Sequence, residues 1–316
     1  MLHLHLIINQ QAASGAAKQK SKEIITLLNQ KNIEYSTYYT EFPGHAITLT
    51  HMLANNHLKK WSEDSQRPFP LLTVLGGDGT LHEVVNALQA FTDIPVAYLP
   101  CGSGNDFARG VGLSRQPEEA LEHLLSIQAP RFKQVLACTD HQTNERALIA
   151  NNLGIGLDAA IVAKANQSKS KKWLNKLKLG SFIYLSSAFH VLLKQEGFPV
   201  TFTMDETTYH YENTYLMTST NHPFFGGGIR IAPEASVDSD DIELVLLEKL
   251  PLYKIIKLAG QLLNATHLQS PHVKHFKGKK LRIQSPTRQY GQMDGEVLTP
   301  QPIDVTLHSV QQLFWL

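Results

Sequence analysis

Apolar positions in the first hundred residues follow two rhythms. Leu2, Leu4, Leu6 and Ile8 alternate with His3 and His5, the period of a half-buried strand. After the polar turn from Asn9 to Gly15, Ile24, Ile25, Leu27 and Leu28 recur at helical spacing. The pattern then predicts a strand at Ile33–Tyr39, a helix at Ala46–Leu58, a polar linker at Trp61–Pro70 and a buried strand at Leu71–Leu75. Leu81, Val84, Val85 and Leu88 continue at helical spacing, and Val96–Leu99 predicts a further strand. An alternating strand–helix order of this kind specifies a parallel α/β sheet. Ligands of such sheets bind beyond the carboxyl ends of the strands, which here are Asn9, Thr40, Gly76 and Pro100.

From about Ala129 the rhythm changes. Val135–Cys138, Ala147–Asn151, Val200–Met204, Thr214–Ser219, Ile242–Leu247, Lys280–Ile283 and Ile303–Leu307 are short, strand-like runs separated by turns. They predict an all-β domain, a sandwich or partial barrel, broken by one helical excursion at Ala159–Leu193. The expected fold class is α/β plus all-β: a nucleotide-binding α/β domain over residues 1–128 and a β-sandwich domain over 129–316. The last strand is free to return to the first domain.

The candidate chemistry lies in the loops. Gly76-Gly77-Asp78-Gly79-Thr80 forms a strand-to-helix turn, where glycine permits positive φ and close approach of a ligand to the main chain. The N–H groups of the helix start favour a phosphate. Asp78 would repel one unless a metal ion or a reacting hydroxyl lies between. An ordinary βα turn is the plain alternative. A second loop, Gly102-Ser103-Gly104-Asn105-Asp106, also follows a strand. Asn105 and Asp106 suit a helix N-cap, but two such loops on neighbouring strand ends favour a nucleotide cleft. Asn9, Ser14 and Gly15 can contact a phosphate or serve only as turn formers.

In the second half, Gly154, Gly156 and Ala159 match Gly-x-Gly-x-x-Ala, yet no Asp or Glu occurs from Ala159 to Gln195, so the ribose-binding acid of a dinucleotide site is missing. The same interval holds Lys164, Lys169, Lys171, Lys172, Lys176, Lys178 and Lys194 among apolar and aromatic residues. This pattern suits an anionic membrane surface, or a solvated helix face over a core stripe. It lacks arginines and any nucleic-acid reader motif, so no nucleic-acid partner is expected. Ser236, Asp238, Ser239 and Asp241 precede a strand and suit either a hard cation or an acidic turn. Asp294-Gly295-Glu296 places two carboxylates about a tight turn, suited to a general base for an alcohol or to a plain hairpin.

Bulk properties narrow this further. The 316 residues are 42% hydrophobic and 18% charged with a net charge of +1, as in an ordinary globular protein. Cys101 and Cys138 are the only cysteines, which excludes a disulfide scaffold and fits a reducing compartment. No signal peptide is recognisable, and no apolar run reaches the roughly 18 residues that span a bilayer. A cytoplasmic protein with peripheral membrane association is expected. Fifteen histidines are scattered without zinc-ligand spacing.

Four segments together resemble the diacylglycerol kinase catalytic-domain family, which includes soluble bacterial lipid kinases and the sphingosine and ceramide kinases. They are Gly76–Thr80, Gly102–Ala108, the stretch from Gly226 to Ala235, and Asp294–Glu296, in the family's order over essentially the whole chain. Gly-Gly-Asp-Gly-Thr alone is shared with NAD kinases; the later segments favour lipid kinases. The resemblance implies ATP-dependent phosphorylation of a lipid hydroxyl with magnesium, ATP lying between the two domains. The family's ATP-contacting positions fall on Asn9, Thr40, the loop from Gly76 to His82 and Ser103. Its base region falls on Asp294 and Glu296, with Asp78 acting at the same site. Its structural magnesium turn, Asp-Gly, is replaced here by Ser239-Asp240, which leaves Ser236, Asp238, Ser239 or Asp241 as substitutes. Assembly as a homodimer stays open. Two rivals stay open: a kinase of a soluble substrate such as NAD, and a nucleotide-binding protein without turnover.

Overall fold

The computed structural model describes residues 2–63, 68–167 and 194–316. The chain divides into two compact units. The first comprises residues 1–135, 226–228 and 310–316, and the second comprises 136–225 and 229–309.

In the first unit, β1 (Leu2–Ile8), β2 (Glu34–Tyr39), β3 (Phe69–Gly76) and β4 (Val96–Pro100) pair in parallel in the order β2-β1-β3-β4. The helices are α1 (Ala16–Gln30), α2 (His45–Asn56), α3 (Asp78–Ala87), a short α4 (Asp106–Gly110) and α5 (Pro117–Ser126). Near the chain end, Phe314 pairs in parallel with Val96. The alternation of β1 sends Leu4, Leu6 and Ile8 into a core with Ile24, Leu28, Leu71, Leu75, Leu99, Leu121 and Trp315. Trp315 donates its indole N–H to the Leu124 carbonyl at 3.1 Å and stacks on Phe69. Sequence patterning left α4 and α5 unassigned. Pro117 at the start of α5 and Ala120, Leu121 and Leu124 on its buried face explain why it forms.

The second unit is mostly antiparallel. It begins with the end of β5 (Arg131–Asp140) and adds β6 (Arg146–Ile149), β7 (Asn152–Gly156), α6 (Leu157–Gln167), β8 (Phe198–Met204) and β9 (Thr207–Thr220). A small hairpin, β10 (Phe224–Phe225) with β11 (Ile229–Arg230), is followed by β12 (Ile242–Glu248), α7 (Leu252–Leu263) and β13 (Val273–Gly278). β14 (Lys280–Met293) and β15 (Glu296–Phe314) close the chain. Strands β13, β12, β9, β7 and β14 are neighbours in that order, and β8 pairs with both β9 and β14. Strict alternation in β8 buries Phe198, Val200, Phe202 and Met204 against Leu244, Leu246, Leu281 and Ile283. An N-terminal α/β unit followed by a β-sandwich-like unit is thus the architecture that the alternation predicts.

One expectation needs correction. The second unit contains another helix besides the excursion after residue 157, namely α7, which the patterning read as part of an all-β region. Of the lysine-rich stretch, residues 168–193 lie outside the described residues; Lys164 and Lys194 are exposed. Among the described residues, no helix is long and apolar enough to cross a membrane.

Candidate active site

The carboxyl ends of β1, β3 and β4 bring the predicted loop residues of the first unit together. Asn9 donates its side-chain amide to the Thr80 hydroxyl at 3.0 Å and its backbone N–H to the Leu75 carbonyl at 2.9 Å. Thr40 follows β2 and donates its N–H to the Ile8 carbonyl at 3.0 Å. The order β2-β1-β3 reverses direction at β1, the crevice where such sheets bind ligands. Asn9 and the Gly76–Thr80 turn flank it.

The glycines act differently from the expectation of positive φ. Gly77, the residue before α3, is extended (φ −99°), and Gly76, Gly77, Gly102 and Gly104 are absent from the positive-φ positions. Close approach is the reason instead. A Cβ on Gly102 would lie 2.5 Å from the Gly77 Cα, and one on Gly76 would lie 2.6 Å from the Thr80 side chain. The two loops therefore stack main chain on main chain, and Cys101 donates its N–H to the Gly76 carbonyl at 2.7 Å. α3 begins at Asp78, so Asp78, Gly79 and Thr80 form its first turn and present its positive end.

Asp78 and Asp106 both border the space above Gly104. A Cβ there would be 3.0 Å from Asp78 Oδ2 and 3.8 Å from Asp106 Oδ2. Asp78 Oδ1 accepts the Phe107 N–H at 3.3 Å and so ties α3 to the start of α4. Asp106 Oδ2 accepts the Gly227 N–H at 2.8 Å; its Oδ1 is buried without a hydrogen bond, 4.0 Å from the Arg109 guanidinium. Burial raises the Asp106 carboxyl above the usual range, with the bonds from Gly227 and Gly228 opposing. Asn105 precedes α4 in the left-handed region (φ 53°). Its side chain does not cap the helix but donates to the Gly102 carbonyl at 2.9 Å, fixing the loop's shape. Ser103 is exposed at the loop tip.

Patterning assigned no role to two residues that hold this region. Tyr98 sits under both loops, its hydroxyl 3.4 Å from the Gly76 carbonyl and 3.2 Å from Asn105 Oδ1. Glu83 accepts the N–H groups of Gly44 and Ala46 at 2.9 and 3.0 Å and caps α2. The one available signal was their type, a tyrosine in a buried strand and a glutamate on a polar helix face.

In the second unit Asp294 and Glu296 have unlike surroundings. Asp294 (φ 52°) and Gly295 (φ 87°) form the two-residue turn between β14 and β15, the conformation of a type I′ hairpin. Asp294 is buried, and its carboxylate accepts the N–H groups of Ala150 (2.8 Å), Asn151 (2.7 Å) and Asn152 (3.1 Å). Glu296 is exposed, and no hydrogen bond or ion pair engages its carboxylate among the described residues. Next to Asp294, His222 donates to Asn151 Oδ1 at 3.0 Å and accepts the Phe224 N–H at 3.2 Å. Burial pushes His222 down to about 4, so the ring is neutral.

Asp158, within the Gly154–Ala159 segment, is a second buried carboxylate. It accepts from Gln292 at 3.3 Å, its Oδ1 has no hydrogen-bond partner, and burial pushes it up to about 6. A Cβ at Gly154 would lie 1.8 Å from its Oδ2, so that glycine makes room for the carboxylate. The strand carrying it, β7, pairs antiparallel with β9 and β14, unlike the parallel unit that a dinucleotide fingerprint requires.

The residues considered for a structural cation lie on one loop. Ser239 Oγ donates to Asp241 Oδ2 at 2.6 Å, and Asp238 N–H donates to Ser236 Oγ at 3.2 Å. Lys277 pairs with Asp241 at 3.1 Å and Lys279 with Asp240 at 2.7 Å. The Ser239 bond and then Lys277 hold the Asp241 carboxyl below its ordinary value. Among the described residues, no group of three or more His, Cys, Asp or Glu side chains is arranged to hold a metal ion.

The chain matches two protein-family models: "Diacylglycerol kinase catalytic domain" over residues 3–136, and "YegS C-terminal NAD kinase beta sandwich-like domain" over residues 151–311. It is 27% identical over 305 residues to "Putative lipid kinase YtlR" of Bacillus subtilis (strain 168), covering 96% of each chain. It is 26% identical over 299 residues to "Diacylglycerol kinase" of the same organism, covering 94% of this chain and 90% of the relative. Its fold is similar to a crystal structure described as a putative diacylglycerol kinase from Bacillus anthracis str. Sterne. The TM-score is 0.72 at 21% identity, over 99% of this chain and 96% of that one, a likeness of fold.

Proposed function

The chain belongs to the family with a diacylglycerol kinase catalytic domain and a β-sandwich-like second domain, and on that premise we propose that it transfers the γ-phosphate of ATP to a lipid hydroxyl. Kinase activity is the family-level statement; the lipid acceptor is the proposal. The observation that carries it is the pair of glycine loops in main-chain contact, with Asp78 and Asp106 both bordering Gly104.

These residues fit a polyphosphate with a hard cation. Gly76, Gly77 and Gly102 leave room for the two loops to meet, the first turn of α3 starts at that junction, and Asp106 keeps a buried oxygen without a hydrogen bond. Asn9, Thr40, Gly76–Thr80 and Ser103 would hold the nucleotide, and Asp78 and Asp106 would hold magnesium. Magnesium held there would supply charge neutralisation to the phosphates. Phosphoryl transfer asks the protein mainly for positioning and charge compensation. Glu296 would take the proton of the acceptor hydroxyl, because its carboxylate is open whereas both oxygens of Asp294 are bound by backbone N–H groups. Asp294 then acts as a positioning residue that fixes the turn bearing Glu296. Peripheral contact with anionic membrane through the lysines between Lys164 and Lys194 is part of the same proposal, motivated by their number and by the absence of acidic residues there.

The test offers purified protein labelled ATP and magnesium with mixed micelles of diacylglycerol, monoacylglycerol, phosphatidylglycerol, ceramide or sphingosine. Label passing into one extracted lipid is the expected result. One observation favours a second reading, the NAD kinase-like description of the second domain. Label passing to NAD and to no lipid would establish that reading and overturn ours.

A further inference from the structure

Helix α7 presents an apolar face that nothing among the described residues of its unit covers. Its buried side is ordinary: Ile255 packs with Leu157, Ala160 and Tyr215, while Leu262 packs against Ile231, Ala232 and Val245. At about 100° per residue, Tyr253, Ile256, Gly260 and Leu263 form a second stripe, well away from the first. Tyr253 is 70%, Ile256 60% and Leu263 75% exposed. Single exposed apolar residues need no explanation, but a contiguous stripe marks an interaction site. Gly260 leaves the middle of the stripe flat, and a Cβ added there would meet no atom within 4 Å.

The charge beside the stripe identifies its occupant. Lys254 and Lys257 fall together on the polar side of the helix, and neither is held in an ion pair among the described residues. From Lys249 to Thr266, across α7 and its ends, the chain carries three lysines and no Asp or Glu. A helix with a broad apolar arc and lysines along its polar edge lies in the plane of a membrane interface, and anionic headgroups attract each lysine. A second copy of the chain fits less well: a two-fold contact through this stripe would bring up the same lysine-edged helix, which has no Asp or Glu to meet Lys254 and Lys257. We propose that α7 is a membrane-docking helix that inserts Tyr253, Ile256 and Leu263 among the acyl chains of an anionic bilayer while Lys254 and Lys257 meet the headgroups. The residues of this surface are other than those of the lysine stretch from Lys164 to Lys194, and the inference does not depend on the kinase reaction.

The full chain is tested, without ATP, by co-sedimentation with vesicles of phosphatidylcholine and phosphatidylglycerol in equal parts, and with vesicles of phosphatidylcholine alone. The wild type is expected to prefer the anionic vesicles and to lose affinity as salt rises. Ile256→Ser combined with Leu263→Ser should weaken binding at least tenfold, and Lys254→Gln with Lys257→Gln roughly tenfold at low salt. Both variants should keep the wild-type Tm, since the changed side chains touch water. Undiminished vesicle binding by the serine pair overturns the proposal, as does equal binding of the wild type to neutral vesicles. A serine pair that turns a dimer into a monomer in sedimentation velocity, with vesicle binding unchanged, assigns the stripe to a second copy and overturns it too.

Discussion

Replacing Asp294 by asparagine, and separately Glu296 by glutamine, tests the proposed division between an anchoring carboxylate and a proton-accepting one. Asp294 Oδ1 accepts the N–H groups of Asn151 and Asn152, and Oδ2 accepts that of Ala150. An asparagine that turns its oxygen toward residues 151 and 152 sets its own N–H against the Ala150 N–H, donor against donor. That forfeits one bond to a charged group, about 1.5–3 kcal/mol. The two remaining bonds fall to neutral strength, on the order of 1 kcal/mol each. The expected cost is about 3–5 kcal/mol, or a fall in Tm on the order of 10 °C. Glu296→Gln alters an exposed side chain without partners, so stability should change by less than about 0.5 kcal/mol. Turnover should nevertheless fall about 100- to 10,000-fold, as for loss of a general base. Calorimetry and the labelled-ATP micelle assay on the same preparations read both quantities. A stable but inactive Asp294→Asn protein beside a fully active Glu296→Gln protein would reverse the two assignments and make Asp294 the base.

Other substitutions probe the loops and the buried charges. Gly102→Ala forces a Cβ to within 2.5 Å of the Gly77 main chain and should cost about 1–3 kcal/mol together with ATP affinity. Gly260→Ala, in an open helical position, should instead stabilise by about 0.5–1 kcal/mol, and equal thermal shifts for the two would contradict the close-approach argument. Asp78→Asn should abolish turnover with Tm retained, because asparagine still accepts the Phe107 N–H; measurable turnover would remove Asp78 from the site. Glu83→Ala should cost about 1–2 kcal/mol by uncapping α2, read from the urea midpoint. Asp158, with its folded value raised from 3.8 to about 6, is penalised as a charge above that range and relieved as pH falls below about 4. Asp158→Asn should therefore raise the urea midpoint near neutral pH, by up to about 3 kcal/mol, and leave it unchanged near pH 4. His222 acts in the opposite sense: its lowered folded value, about 4, gives stability present above about 6.5 and lost as pH falls through that interval. The Asp158→Asn protein, without the compensating carboxylate, should lose stability more steeply between about pH 6.5 and pH 4 than the wild type does; parallel curves would count against both assignments.

Much of the fold was legible because burial imposes its period on the chain. Leu2 to Ile8 and Phe198 to Met204 alternate since one face of each strand meets a core, and the structure keeps both as strands. Helix α7 carries the helical signal as well, since Lys254, Lys257 and Gln261 gather on one side of Leu252–Leu263 and the apolar residues on the rest, but reading the region as all-β passed over it. The positions of the two glycine loops were legible from their composition, but not what the glycines do. Their local geometry is ordinary, and the constraint comes from a neighbour twenty-five residues away, Gly77 against Gly102. Glu83 likewise caps α2 rather than its own helix, a relation that no local pattern encodes.

Asp294-Gly295-Glu296 shows why plain and functional explanations of a motif need not compete. The segment is a hairpin turn: both central residues have positive φ, and Asp and Gly are the types that tolerate it. The same conformation turns the Asp294 carboxylate inward onto the N–H groups of Ala150, Asn151 and Asn152. Those groups lead into β7, which starts at Asn152 and whose register with β14 runs to the Met293–Leu153 pair beside the turn. A carboxylate that closes three backbone N–H groups removes the slack from the segment that follows it, and Glu296 is two residues on. A base must be held within hydrogen-bond reach of the proton it takes, and a side chain on a loose turn would lose that geometry. On the mechanism proposed above, the aspartate would be the anchor that lets the glutamate act, and the hairpin would be the device that separates their roles.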